Sequence, residues 1–251
     1  MAGGGSLGLV REKLDWAGHH LNALEHEIQA FKDTDPIPVG REFDLKTTEE
    51  VWYVDGVSQE PPRRLSFIAG DFLSNLRASL DYLVWQLVLE NGGTPERSNA
   101  FPICAKPSAW ASALSRDRLK GTSDKAVTAI KGLQPCFGTN PYRNQWLQWI
   151  DDLAVIDKHR HLHLFTAGTE GGFFLPGVPM DSVFEIRNGR VENGTELARL
   201  GGHHPGVNFA PAIGIAFRAG GAASDESVRM TFYAIREMVK IILEEFSELF
   251  S

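Results

Sequence analysis

Cysteine is scarce in this chain, and so are long apolar runs. The only two cysteines, Cys104 and Cys136, belong to no CxxC pair. That argues against a disulfide framework or a zinc knuckle and for two free thiols in a reducing compartment. No stretch approaches the roughly 18 to 20 apolar residues of a membrane span, so no membrane partner is expected. The N-terminus, Met1-Ala2-Gly3-Gly4-Gly5-Ser6, lacks a basic stretch followed by an apolar one, and the expected location is the cytoplasm. The net charge of -7 leaves no basic stripe for a phosphate backbone, which disfavours nucleic acid as a partner. There is no GxGxxG, GxxxxGK[ST], GxSxG or HExxH, so neither a nucleotide cofactor nor a catalytic metal nor a serine nucleophile is implied.

What is present is helical periodicity. With 251 residues, 43% of them hydrophobic, the chain can organise one large core, and a single domain over 1-251 is expected. Leu7, Val10, Leu14, Ala17, Leu21, Leu24, Ile28 and Phe31 step by three and four, the seam of a helix over about 6-32 that Pro36 and Pro38 terminate. Pro61 and Pro62 open a second helix, about 62-90, with Leu65, Ala69, Phe72, Leu76, Leu80, Leu83 and Leu87 on one stripe and Phe67 and Trp85 opposite. Asn140 caps a third over about 140-160, and Ser224 a fourth over about 225-250. Between the second and third lie short helical pieces near 108-114 and 124-133.

Strand signals fall over about 41-56, as a hairpin turning near Thr48, and in short runs over about 162-218. Asn188-Gly189 reads as a two-residue hairpin turn. The expected fold class is α+β, long amphipathic helices packed on a mostly antiparallel sheet.

Chemistry is sought where ionisable side chains fall on an apolar helix face, because burying a charge costs several kcal/mol unless it is paired. On the third helix, Asp151, Asp152, Lys158 and His159 project away from Trp146, Ile150 and Leu153 and read as a solvated face. Asp157, Arg160 and His161 continue the apolar stripe. On the second helix Asp71, Asn75 and Tyr82 share a stripe, with Arg77 and Asp81 one turn apart on its neighbour. If the two polar strips face each other, they form an acid-base pocket for a small molecule. Asp157, His161 and Asp81 are then the candidate acid-base groups, and Asn75, Arg77, Arg160 and Tyr82 the candidate substrate-binding ones. A buried ion-pair network fixing the register of two helices explains the same pattern without function.

The run His159 to His163 offers two metal geometries, helical for His159 with His163 and extended for His161 with His163. They exclude each other, and no metal is assigned. His203 and His204, in a loop, stay open as candidates for a pocket mouth.

The segment Asn75-Leu76-Arg77-Ala78-Ser79-Leu80-Asp81, with Phe101-Pro102-Ile103 and Ile156-Asp157-Lys158-His159-Arg160, resembles segments shared by bacterial, chiefly actinobacterial, hypothetical proteins. The resemblance spans about 65-165 and carries no activity with it. A fainter likeness is to helical HEPN-type ribonucleases, whose signature is an Arg, a few residues, then a His on a helix. Here Tyr82 stands where such a His would follow Arg77, and the one Arg-to-His match, Arg199 to His204, falls in a glycine loop.

Three functional readings follow in order: a small-molecule or hydrolytic enzyme with His161 or Asp157 as base and Arg77 or Arg160 as anion binder, a non-catalytic ligand-binding or homodimeric protein paired through the Leu7-Phe31 helix, and third a HEPN-like ribonuclease.

Overall fold

The computed structural model describes residues 5-159, 162-168, 183-186, 189-203, 213-218, 223 and 226-250. Helix α1 (Leu7–Lys32) is capped by Ser6, whose hydroxyl accepts the Gly8 N–H. All eight residues of the expected seam are buried, and α1 packs chiefly along α2 (Arg63–Glu90). The seam is thus consumed inside the chain and leaves no apolar stripe there for a second subunit.

Helix α2 is central: its Leu65, Ala69, Phe72, Leu73, Leu76, Leu80, Leu83 and Val84 are all fully buried, and it touches α1, α5 (Pro141–His159) and α6 (Val228–Phe246). Phe67 and Trp85, on its other face, remain exposed. Two short helices, α3 (Pro107–Ser115) and α4 (Asp124–Leu133), add Trp110, Ala126, Ile130 and Leu133 to the same core. Asn140 caps α5 as expected, its Oδ1 accepting the Arg143 N–H. The cap of α6 is Ser227, which accepts from Met230 N–H; Ser224 lies outside the described residues.

The expected hairpin forms as β1 (Val39–Asp44) and β2 (Glu49–Val54), antiparallel, with Thr48 at positive φ in the turn. Beyond it come β3 (Leu164–Gly168), β4 (Val183–Ile186), β5 (Gly189–Arg190), β6 (Glu196–Gly201) and β7 (Ile213–Phe217). The class is α+β, but the strands form two antiparallel sheets, ordered β1-β2-β6-β4 and β5-β3-β7.

Two expectations change here. Strand β6 lies within the 162-218 stretch expected to carry strands but does not stand out there as a run of its own, because Leu197 and Ala198 are adjacent buried residues and break the alternation. Nor do β4 and β5 pair with each other across Asn188-Gly189: β4 pairs with β6 and β5 with β3. A two-residue β5 adds little ladder of its own, and each strand takes its neighbour from a longer one. The β3-β7 sheet joins the helical core through Leu164, Ile215 and Phe217, with Phe217 against Phe232 and Phe232 stacked on Phe72. No described helix is long and apolar enough to cross a membrane.

Candidate functional site

The polar residues on α2 and α5 separate into two groups. At one end of the contact, the Asp157 carboxylate lies directly against Gly70, where a Cβ would collide with it. Position 70 therefore has to be glycine for Asp157 to sit there, even though glycine costs a helix interior about 1 kcal/mol relative to alanine. Nearby, the Ser66 hydroxyl donates to the Leu162 carbonyl at 2.7 Å, holding the chain beyond α5 to α2.

Seven residues along α2, about 10 Å at the helical rise, stand Arg77 and Asp81. They do more than pair one turn apart at 3.7 Å. Arg77 Nη2 donates to the Phe101 carbonyl at 2.6 Å, and Asp81 Oδ1 accepts the Phe101 N–H at 2.8 Å. One helix turn thus grips both backbone polar groups of a single residue whose ring is fully buried. Burial raises the Asp81 pKa above the ordinary carboxylate range, against the pull of Arg77 and of the Phe101 N–H.

A cleft of about 270 Å³ opens beside this clamp, lined by Arg77, the 101-104 segment, α3 residues Ala109, Ser112 and Ala113, then Arg116, Arg118 and Asp151. The loop carrying Arg116 and Arg118 is pinned from below. Ala100 N–H donates to the Arg118 carbonyl at 3.1 Å, and Asn99 Nδ2 reaches the Lys120 carbonyl at 2.9 Å. Cys104 is held by Gln134, a fully buried side chain that accepts the Cys104 N–H at 2.9 Å. Within the wall, Arg77 Nη1 is shielded from solvent and has no hydrogen-bond partner among the described residues. Three guanidinium groups and one carboxylate therefore converge on one cleft of an acidic chain, a setting suited to an anion.

Other hollows are weaker candidates. One of similar volume lies between loop 56-60 and turn 191-193, but its Arg218 is paired with Glu60 at 3.2 Å.

Of the expected site residues, Arg77 and Asp81 come together. Asn75 is turned back on its own helix, donating to the Asp71 carbonyl, and Tyr82 is 44% exposed and does not line the cleft. Asp157 belongs to the Gly70 end. Arg160 and His161 lie outside the described residues, as does His204, and no group of three metal-binding side chains occurs among the described ones. Asp151 and Asp152, expected on a solvated face, are half-buried: Asp151 lines the cleft, and burial raises the Asp152 pKa. Arg199 sits in β6 rather than a glycine loop and is engaged by Glu49 and Glu196. His203 rests on the buried Glu50 carboxylate at 2.9 Å and edge-on to Phe43.

Arg116, Arg118 and Asp151 escaped the reading from sequence. The one signal present was the alternation Arg116-Asp117-Arg118, which becomes meaningful only once the loop is pinned beside Phe101. No protein-family model, curated protein or solved structure matches this chain.

Proposed function

We propose that this protein binds a small anionic molecule in the cleft between α2, α3 and the 101-104 segment, as a ligand-binding protein rather than an acid-base enzyme. The observation that carries the reading is the gathering of Arg77, Arg116 and Arg118 on one cleft of a chain whose net charge is -7. Guanidinium groups match the planar geometry of carboxylate and phosphate oxygens, and a cleft focuses their field on a ligand. Asp151, which also lines the cleft, adds an acceptor for a ligand hydroxyl or amine.

Binding is favoured over catalysis by the distribution of titratable groups. Asp81 is occupied with the Phe101 backbone, Asp157 of α5 lies against Gly70, which is roughly 16 Å from Asp81 along α2 at the helical rise, and burial raises the Cys104 pKa, so the thiolate nucleophile is scarce at neutral pH.

Calorimetric titration with inorganic phosphate and with succinate at low ionic strength tests the reading. Saturable binding of either, weakened roughly tenfold in the Arg116→Ala, Arg118→Ala double variant and further by added salt, is the expected result. Equal heats for the wild type and the double variant would sink it.

A further inference from the structure

The chain's two cysteines are 32 positions apart in sequence (136 − 104), yet they are neighbours in space. The Cys136 N–H donates to the Cys104 carbonyl at 3.1 Å. With standard backbone dimensions, one such N–H···O=C bond places the two Cα atoms roughly 5 to 6.5 Å apart. That lies inside the roughly 4.4 to 6.8 Å that a disulfide spans. Both backbones are held in this relation, because Gln134 grips the Cys104 N–H and donates in turn to the Ile130 carbonyl at 2.9 Å. Both thiols are free, Cys104 buried and Cys136 half-buried. Cys136 is thus the more accessible of the two thiols and Cys104 the more protected.

We propose that Cys104 and Cys136 form a reversible redox pair that closes to an intramolecular disulfide when a small-molecule disulfide reaches Cys136. The Cys136 thiolate attacks one sulfur of oxidised glutathione, the glutathione S–S bond breaks, and one glutathione thiolate leaves. The Cys104 thiolate then attacks the Cys136 sulfur of the mixed disulfide and expels the second glutathione thiolate. The two protein thiols lose their protons to solvent, and the two electrons end on the pair of glutathione thiols. The loop so closed carries α3, Arg116 and Arg118, so oxidation ties down the segment that supplies two of the three cleft guanidinium groups. The pairing itself does not depend on what the cleft binds.

Burial raises both thiol pKa values, so closure should be slow at neutral pH and faster as pH rises. The test is incubation of the folded full chain with oxidised glutathione, acid quench, alkylation, and intact-mass and peptide mapping. The expected product has lost two hydrogens, links the Cys104 and Cys136 peptides, and reverts with dithiothreitol. In Cys104→Ser a glutathione adduct should instead persist on Cys136. The proposal is overturned if the wild type accumulates a stable Cys136 adduct without the internal link. It is equally overturned if both thiols stay free over the whole pH series while alkylating readily once the chain is unfolded.

Discussion

At the Gly70 end of the α2–α5 contact, the Asp157 carboxylate is laid against a residue with no side chain. At the Arg77 end, the same two helices contribute Arg77 and Asp151 to the wall of a cleft. Both ends place charge at a helix interface. The difference lies in what surrounds it: Asp157 fills the gap left by Gly70, whereas Arg77 spends one nitrogen on the Phe101 carbonyl and keeps another without a partner among the described residues. Charge at this helix interface is thus packed against a glycine backbone at one end and borders a cleft at the other.

The largest effect should come from breaking the clamp. Arg77→Ala leaves the Phe101 carbonyl without its donor and Asp81 without its neighbouring cation, at about 3 kcal/mol in urea unfolding. It should also remove phosphate binding. A loss within the ±0.5 kcal/mol typical of a surface site would mean that the clamp holds nothing.

Asp81→Ala orphans the Phe101 N–H and should cost about 2 kcal/mol. Asp81→Asn keeps an acceptor and tests the charge instead. Because burial raises the Asp81 pKa, the folded chain holds that proton more tightly than the unfolded one. The resulting stabilisation is full below the unfolded pKa and is lost as pH rises through the folded one. The gap between wild-type and Asp81→Asn urea midpoints should therefore shift in favour of Asp81→Asn as pH climbs through the acid range. A gap constant with pH would contradict this.

Gly70→Ala sharpens the other end. Alanine in an open helix interior gains about 1 kcal/mol over glycine, but here it must displace Asp157 and should instead lose roughly 1 to 2 kcal/mol. In an Asp157→Ala background the sign should reverse, since the colliding group is gone. Additive effects would mean that Asp157 is not seated on Gly70. The smallest stability change is expected for Arg116→Ala with Arg118→Ala, within about 0.5 kcal/mol. The same variant should show a roughly tenfold loss of anion affinity by calorimetry.

The helices were legible because a stripe repeated over seven turns leaves few alternatives, as Leu7 to Phe31 illustrates, and because Asn140 marks a helix start locally. The sheets were legible only as far as the Thr48 hairpin, whose strands are sequence neighbours. β6 joins β2 and β4 across more than a hundred residues in one direction and about a dozen in the other, and no local pattern specifies such a choice of partner. The candidate site shows the same division. The spacing of Arg77 and Asp81 was readable on the helix, but not that both would grip Phe101.

By itself the sequence determined the helical class, the apolar stripes that build the core, most helix boundaries and the single turn on which Arg77 and Asp81 stand. These follow from period and capping, which are short-range properties of the chain. Only the tertiary structure decided that the Leu7 to Phe31 seam is used internally, that Asp157 needs Gly70, that Cys104 meets Cys136, and that Arg116 and Arg118 join Arg77. Each of these depends on which distant segments dock, and docking is set by complementary surfaces formed after the local elements exist, not by the residue types along any one of them.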